Sequence, residues 1–158
     1  MAEPELVIRR ATLADLEALT AARIALFTEL GELPEGFATN TFATACSIQL
    51  GSMMSSAGAS AWLAFSPDGA ACASAILLDY PRLPSPRNPR TREGYSMNVY
   101  VAPAWRRRGI ASALIAGALT EAKQRGLARV RLHTTLAGRE VYRAHGFQPR
   151  NDEMEWVL

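Results

Sequence analysis

Cysteine is scarce in this chain: Cys46 and Cys72 are the only two, and neither stands in a Cys-x-x-Cys or Cys/His spacing. That argues against a disulfide framework and a zinc site, and for buried free thiols in a reducing compartment. Lysine is scarcer still, since Lys123 is the only one among 17 basic residues. Genome composition explains such a bias as well as any ligand does. The formal net charge of +2 is too small to make nucleic acid the main partner. No stretch reaches the length of a bilayer-spanning helix, and Met1-Ala2-Glu3-Pro4-Glu5 lacks the basic start and apolar run of a signal peptide. The expectation is a cytoplasmic protein without a membrane partner. Also missing are Gly-x-x-x-x-Gly-Lys-Ser/Thr and Gly-x-Gly-x-x-Gly, so nucleotide hydrolysis and dinucleotide binding lose their usual marks. No cluster has metal-ligand spacing and no nucleophile stands beside a base, so the expected metal is none.

What is present suits a globular core. The chain has 158 residues, 49% of them hydrophobic and 20% charged, and shows no repeat or boundary, so one domain over 1–158 is expected. Leu6–Arg10 reads as a strand, after which Thr12 and Asp15 form a capping box for a helix carrying Leu13, Leu16, Leu19, Ile24, Phe27 and Leu30. Phe42, Cys46, Leu50 and Met53 suggest a second helix. Ala61–Phe65, the turn Ser66-Pro67-Asp68-Gly69 and Ala71–Leu78 read as a hairpin. Asp79–Glu93, rich in proline and arginine, reads as a loop, and Gly94–Val101 as a strand. A helix over Ile110–Arg125 places Ile110, Leu114, Ala118 and Ala122 on one stripe, and Gly126 ends it. Val130 and Leu132 then alternate with Arg129, Arg131 and His133, which makes a β-α-β crossover. A short helix over Ala137–His145 and strands at Phe147-Gln148 and Met154–Leu158 are expected to close the chain. Trp62 and Trp156 read as core strand residues.

The run from Val99 to Ile115 carries the most chemistry: an apolar strand, a basic turn, then a helix whose first turn holds no carboxylate. The first amides of a helix lack intrahelical partners and the dipole is positive there, so such a junction suits a phosphate. Gly109 lets the backbone approach an anion, and Arg106, Arg107 and Arg108 add forked donors. The amides from Arg107 through Gly109, Ile110 and Ala111 to Ser112 are expected to do most of the holding.

Arg106-x-x-Gly109-x-Ala111 resembles the Arg/Gln-x-x-Gly-x-Gly/Ala signature of the GCN5-related N-acetyltransferases, whose loop holds the pyrophosphate of coenzyme A. Val141-Tyr142, three residues, then Gly146-Phe147 is similar to a second mark of that family. The order β-α-α-β-β-β-α-β-α-β-β matches its fold as well. The resemblance implies an α/β (α+β) acyl-CoA N-acyltransferase fold with a central mixed, mostly antiparallel sheet, helices on both faces, and strands splayed at the acetyl-CoA site. It implies acetyl-CoA as co-substrate and direct transfer to an amine-bearing acceptor, which is a small molecule or a protein, and it is compatible with a homodimer. It assigns Tyr142 as general acid for the departing thiolate. Backbone groups of Val99 and Val101 would bond the pantetheine and the thioester.

The chain departs from the pattern in two places. Thr135 stands where the family often has an asparagine against the pantetheine, with Gly138 where alanine is usual. The strand Tyr95–Val101 has no carboxylate to act as base. Asn98 can position a water, whereas Glu29, Glu32 and Glu35 read as solvated charge that attracts a cationic acceptor. His133 reads as a satisfied histidine ahead of a catalytic one, His145 as a helix-end cation, and Trp105 as a packing residue ahead of an adenine platform. A catalytically silent acyl-CoA-binding or regulatory module is the alternative reading.

Overall fold

The computed structural model describes residues 5–158; Met1–Pro4, and with them most of the segment read for a leader, lie outside the described residues. Five strands form one sheet in the order β1-β2-β3-β4-β5, with β1 at Val7–Arg10, β2 at Ala59–Phe65, β3 at Ala71–Pro81, β4 at Arg92–Val101 and β5 at Val130–Arg131. The first four pair antiparallel, and β5 lies parallel to β4.

Alternation along β2 sorts the core into two layers. Trp62 and Ala64 face α3 (Ile110–Gln124), where they meet Ile110, Leu114, Ala118 and Ala122, the stripe expected from the sequence. Ala61 and Leu63 face the other way, toward Leu19 of α1 (Leu16–Leu30) and Leu50 and Met54 of α2 (Thr39–Ser55). α1 begins as expected: a single 3-10 turn precedes it, and the Thr12 amide donates to Asp15 Oδ2 at 2.7 Å. It ends at Gly31, which takes a left-handed φ of 69°. α4 (Arg139–Ala144) packs against α3 and is shorter than the sequence suggested.

Gly94 matters because β3, β5 and the connection that follows α3 converge on it. A Cβ there would stand 3.0 Å from Leu77 Cδ1, 3.1 Å from Leu127 Cδ1 and 3.3 Å from Val130 Cγ2. Gly94→Ala should therefore destabilise by about 1–3 kcal/mol through overpacking; a denaturant midpoint equal to wild type would contradict this.

Three expectations need correction. The loop expected over Asp79–Glu93 is confined to 82–91, because β3 runs on to Pro81 and β4 begins at Arg92, in the register Asp79↔Gly94, Tyr80↔Glu93 and Pro81↔Arg92. The charges that suggested a loop are ion-paired instead: Asp79 with Arg92 and Arg125, and Glu93 with Arg82, Arg129 and Arg131. Second, Phe147-Gln148 and Met154–Leu158 are not strands, since no ladder reaches them, and Trp156 is 84% exposed rather than in the core. Third, β5 is confined to Val130–Arg131, short of Leu132 and His133. As for the thiols, both cysteines are free, Cys72 buried and Cys46 only half-buried.

Candidate functional site

Where β4 and β5 part, the sheet opens. The two strands pair only at Gly94↔Val130 and Tyr95↔Arg131, so beyond Tyr95 the edge of β4 toward β5 has no ladder and its backbone groups are available to a ligand. A bulge widens the opening. Ser74 pairs with Tyr100 and Ile76 with Met97, which leaves Asn98 and Val99 together opposite Ala75, and Asn98 adopts φ 54°. The extra residue turns Val99 and Val101 toward the α3 layer, where both pack against the core. The resulting cleft has a volume of about 490 Å³. Its walls come from β4, the turn before α3, the segment 133–142 and the end of α1.

At one end of the cleft lies the basic turn. Trp105 N–H donates to Ala102 O and Arg106 N–H to Pro103 O, and the next amide with a backbone partner is that of Ala113, bonded to Gly109 O. The amides of Arg107, Arg108, Gly109, Ile110, Ala111 and Ser112 donate to no backbone acceptor among the described residues. Left-handed φ values of 61° at Arg107 and 75° at Gly109 curl this segment into a concave run of N–H groups at a helix start, which suits phosphate oxygens. A Cβ on Gly109 would meet nothing within 4 Å, so glycine is required there for its backbone and for what approaches it, not for packing within the chain.

The three arginines of the turn have separate tasks. The Arg106 guanidinium folds back, with Nε donating to Val101 O at 2.9 Å and Nη2 to Glu29 Oε2 at 2.6 Å. It thereby straps the end of α1 to the tip of β4, and it holds the Glu29 carboxyl below its ordinary range. Arg108 rests on the Trp105 ring, 4.8 Å from its centroid, while Trp105 itself packs against the α3 core. The Arg107 side chain is exposed beside the free amides.

Tyr142, on α4, lines the opposite wall. Its ring meets Phe147 edge-to-face at 5.6 Å, and burial pushes its hydroxyl pKa up from a value at which a phenol already holds its proton at neutral pH. Thr135 caps the turn into α4, accepting the Gly138 amide at 3.2 Å through Oγ1. The glycine at 138 has a local reason, because a Cβ there would stand 2.9 Å from Thr134 Oγ1.

Toward α1 the cleft holds one unsatisfied group. Asn98 is buried, its Nδ2 reaches Ser74 Oγ at 3.3 Å, and Ser74 Oγ donates to Asn98 O at 2.8 Å, yet Asn98 Oδ1 has no partner among the described residues. Ser74 alternates with Ile76 and Leu78, which face α1 and α2, so this free acceptor lies on the side of the sheet away from α3. His133 is exposed and bonded through Nδ1 to the Tyr95 hydroxyl. His145 ends α4 and meets Ser112 Oγ at 2.7 Å, which pins α4 to the first turn of α3. Sequence reasoning missed that contact, because a pair 33 residues apart leaves no local signal. Glu32 and Glu35 are exposed. Among the described residues no helix is long and apolar enough to cross a membrane.

Comparison with known proteins follows the same lines. The sequence profile of the Acetyltransferase (GNAT) family matches residues 26–147. A predicted acetyltransferase from Clostridium acetobutylicum, solved with acetyl-CoA, shares the fold at a TM-score of 0.87 and 24% identity, over 98% of this chain and 97% of that one. A GCN5-related N-acetyltransferase from Ralstonia eutropha JMP134 gives 0.83 at 28% identity, over 98% and 99%. An aminoglycoside N-acetyltransferase in complex with CoA gives 0.74 at 17%, over 99% and 97%. No curated protein matches the chain significantly in sequence.

Proposed function

Since this chain belongs to the acetyltransferase (GNAT) family, we propose that it acts over its whole length as one N-acetyltransferase domain, passing the acetyl group of acetyl-CoA directly to an amine. The observation that carries this reading is the cleft, which joins a run of free amides at the start of α3 to an unpaired strand edge and a protonated tyrosine. The free amides from Arg107 to Ser112 hold the pyrophosphate, with Arg107 and Arg108 assisting from the surface. The open edge of β4 at Val99 and Val101 receives the pantetheine amides and the thioester carbonyl, and Thr135 borders the same path.

The acceptor enters from the α1 side, past Leu26, Glu29 and Leu30. Its nitrogen forms the C–N bond at the thioester carbon, and the C–S bond then breaks. Tyr142 supplies a proton to the leaving sulfur as negative charge develops on it. The proton lost by the attacking nitrogen passes to water in the cleft and from there to solvent, and solvent returns a proton to the tyrosine. Glu29 draws cationic acceptors to the mouth.

Calorimetric titration with CoA and a thiol-release assay with a panel of amines test the proposal. The expected result is binding together with turnover on at least one class of amine. Binding without any turnover favours a silent acyl-CoA-binding module, a reading supported by the fact that the only carboxylate on β4, Glu93, is buried under arginines. Absence of binding sinks both.

A further inference from the structure

The face of the sheet away from α3 carries a second space. It is a cavity of about 380 Å³, walled by Leu19 of α1, by Phe42, Leu50 and Met53 of α2, and by Ile76 and Leu78 of β3. This cavity adjoins the acceptor end of the cleft. Met97 of β4 lines both spaces, and on α1 the cavity residues Leu19 and Arg23 continue at helical spacing into the cleft residues Leu26 and Leu30.

The polar groups of the cavity are few. Thr20 borders it and is only 5% exposed, yet its Oγ1 has no partner among the described residues. Thr28, Thr44 and Ser55, on the same two helices, each donate their hydroxyl to the carbonyl four residues back. Thr20 does not. A buried hydroxyl left unpaired costs stability unless a ligand meets it. Of the described residues on the wall only Arg23 is charged, and no carboxylate lines it, so the cavity disfavours a cationic group.

We infer that the acceptor is a primary amine on an uncharged, largely apolar body of arylalkyl size, and that this body fills the cavity with a neutral polar group at its far end bonded to Thr20 Oγ1. The inference rests on the proposed acetyl transfer and adds what kind of amine receives the group. The charges sort the two ends: Glu29, at the cleft, suits the ammonium, while the apolar wall suits the rest. The lengths agree as well, since the six residues from Leu26 back to Thr20 rise about 9 Å along α1, a span that a two-carbon chain and one aromatic ring cover. Met53 and Met97 let the wall adapt to the ring. Thr20 is thereby a specificity residue and takes no part in the chemistry.

Thiol release from acetyl-CoA tests this with phenethylamine and tyramine set against ethanolamine and spermidine. Both aryl amines should exceed both polar amines by about 100-fold or more in kcat/KM, and tyramine should exceed phenethylamine by about fivefold through its phenol. Thr20→Val keeps the shape of the side chain and removes the unpaired hydroxyl, so it should abolish the tyramine preference and leave the denaturant midpoint at or above that of wild type. Ala45→Trp, from an exposed position on the cavity wall, should raise KM for both aryl amines about tenfold or more while CoA affinity stays within about twofold. Should that variant not fold, the amine series and Thr20→Val decide. Turnover on the polar amines that equals or exceeds that on the aryl amines overturns the inference and leaves the transferase reading standing. A tyramine preference that is absent, or that survives in Thr20→Val, overturns it too. No turnover on any amine, with CoA bound, overturns the transferase reading instead. Calorimetry of tyramine into the CoA complex then tests the cavity by itself: binding that Ala45→Trp abolishes supports it, and no binding overturns it.

Discussion

Tyr142→Phe is expected to lower kcat by about 100-fold or more, the usual contribution of a positioned general acid, while CoA affinity stays within about twofold. The substitution deletes one oxygen and keeps the ring that meets Phe147 edge-to-face at 5.6 Å, so the cleft wall retains its shape. What disappears is the phenol that lines the α4 wall, and with it the proton offered to the leaving sulfur. The loss should appear in kcat and kcat/KM alike, because the contact is made as the sulfur gains charge and not in the ground state. Thiol release at saturating acetyl-CoA, paired with calorimetry, separates the two effects. A kcat within about threefold of wild type would remove the acid role and leave the ring as packing.

Glu93→Ala should weaken the fold by about 1.5–3 kcal/mol, because it removes the buried carboxylate that three partly exposed guanidinium groups and the Tyr80 hydroxyl share. The Glu93 side chain is only 4% exposed and meets Arg131 at 2.7 Å, Arg129 at 3.0 Å and Arg82 at 3.3 Å, while the Tyr80 hydroxyl donates to it at 2.7 Å. Without the carboxylate, those guanidinium groups face one another across the hairpin. For a chain of this length the loss corresponds to a fall in Tm of about 3–12 °C.

The same residue sets a pH dependence. Burial alone would raise the Glu93 pKa, but the Tyr80 hydroxyl and the neighbouring Arg129 and Arg131 outweigh burial and hold it below the ordinary value. At Glu121, too, burial is overcome, there by Arg125 and Arg10. Groups of this kind contribute stability that is fully present above the unfolded-chain value, about 4.3 for glutamate, and is lost as pH falls through the folded-state value. Denaturant titrations should therefore show little change from pH 7 to about 5 and a decline below about 4, with a shallower decline in Glu93→Ala. An unchanged slope in the variant would clear Glu93 of that role.

How far the sequence foretold these features depended on the range of the interaction. The stripe Ile110, Leu114, Ala118 and Ala122 was legible because helical periodicity is local, and all four side chains are buried against the sheet. The parallel placement of β4 and β5 followed from the helix between them. The extension of β3 through Asp79 and Tyr80 did not, because a hydrophobicity pattern counts an ion-paired aspartate as a solvent-loving one. The direction of the Arg106 side chain was equally hidden. Its position in the turn suggested an anion, yet its guanidinium lies on Val101 O and on Glu29, 77 residues earlier. The alternation of Met154–Leu158 suggested a closing strand, but no ladder reaches it, and a strand exists only where a ladder completes it.

The bulge at Asn98 fixes the length of this stretch of chain. Between Gly94 and Val101, β4 carries one residue more than β3 across from it. Deleting any one residue there would rotate Val99 and Val101 out of the α3 layer and swing the free edge of the strand away from the cleft. Inserting one would do the same in the opposite sense. The hairpin tip between Pro81 and Arg92 has no such count to keep. A change of length at that tip would cost its own bonds, Asn88 to Ala128 O and Arg90 to Leu127 O among them, but would invert no buried face, whereas β4 can change only by substitution.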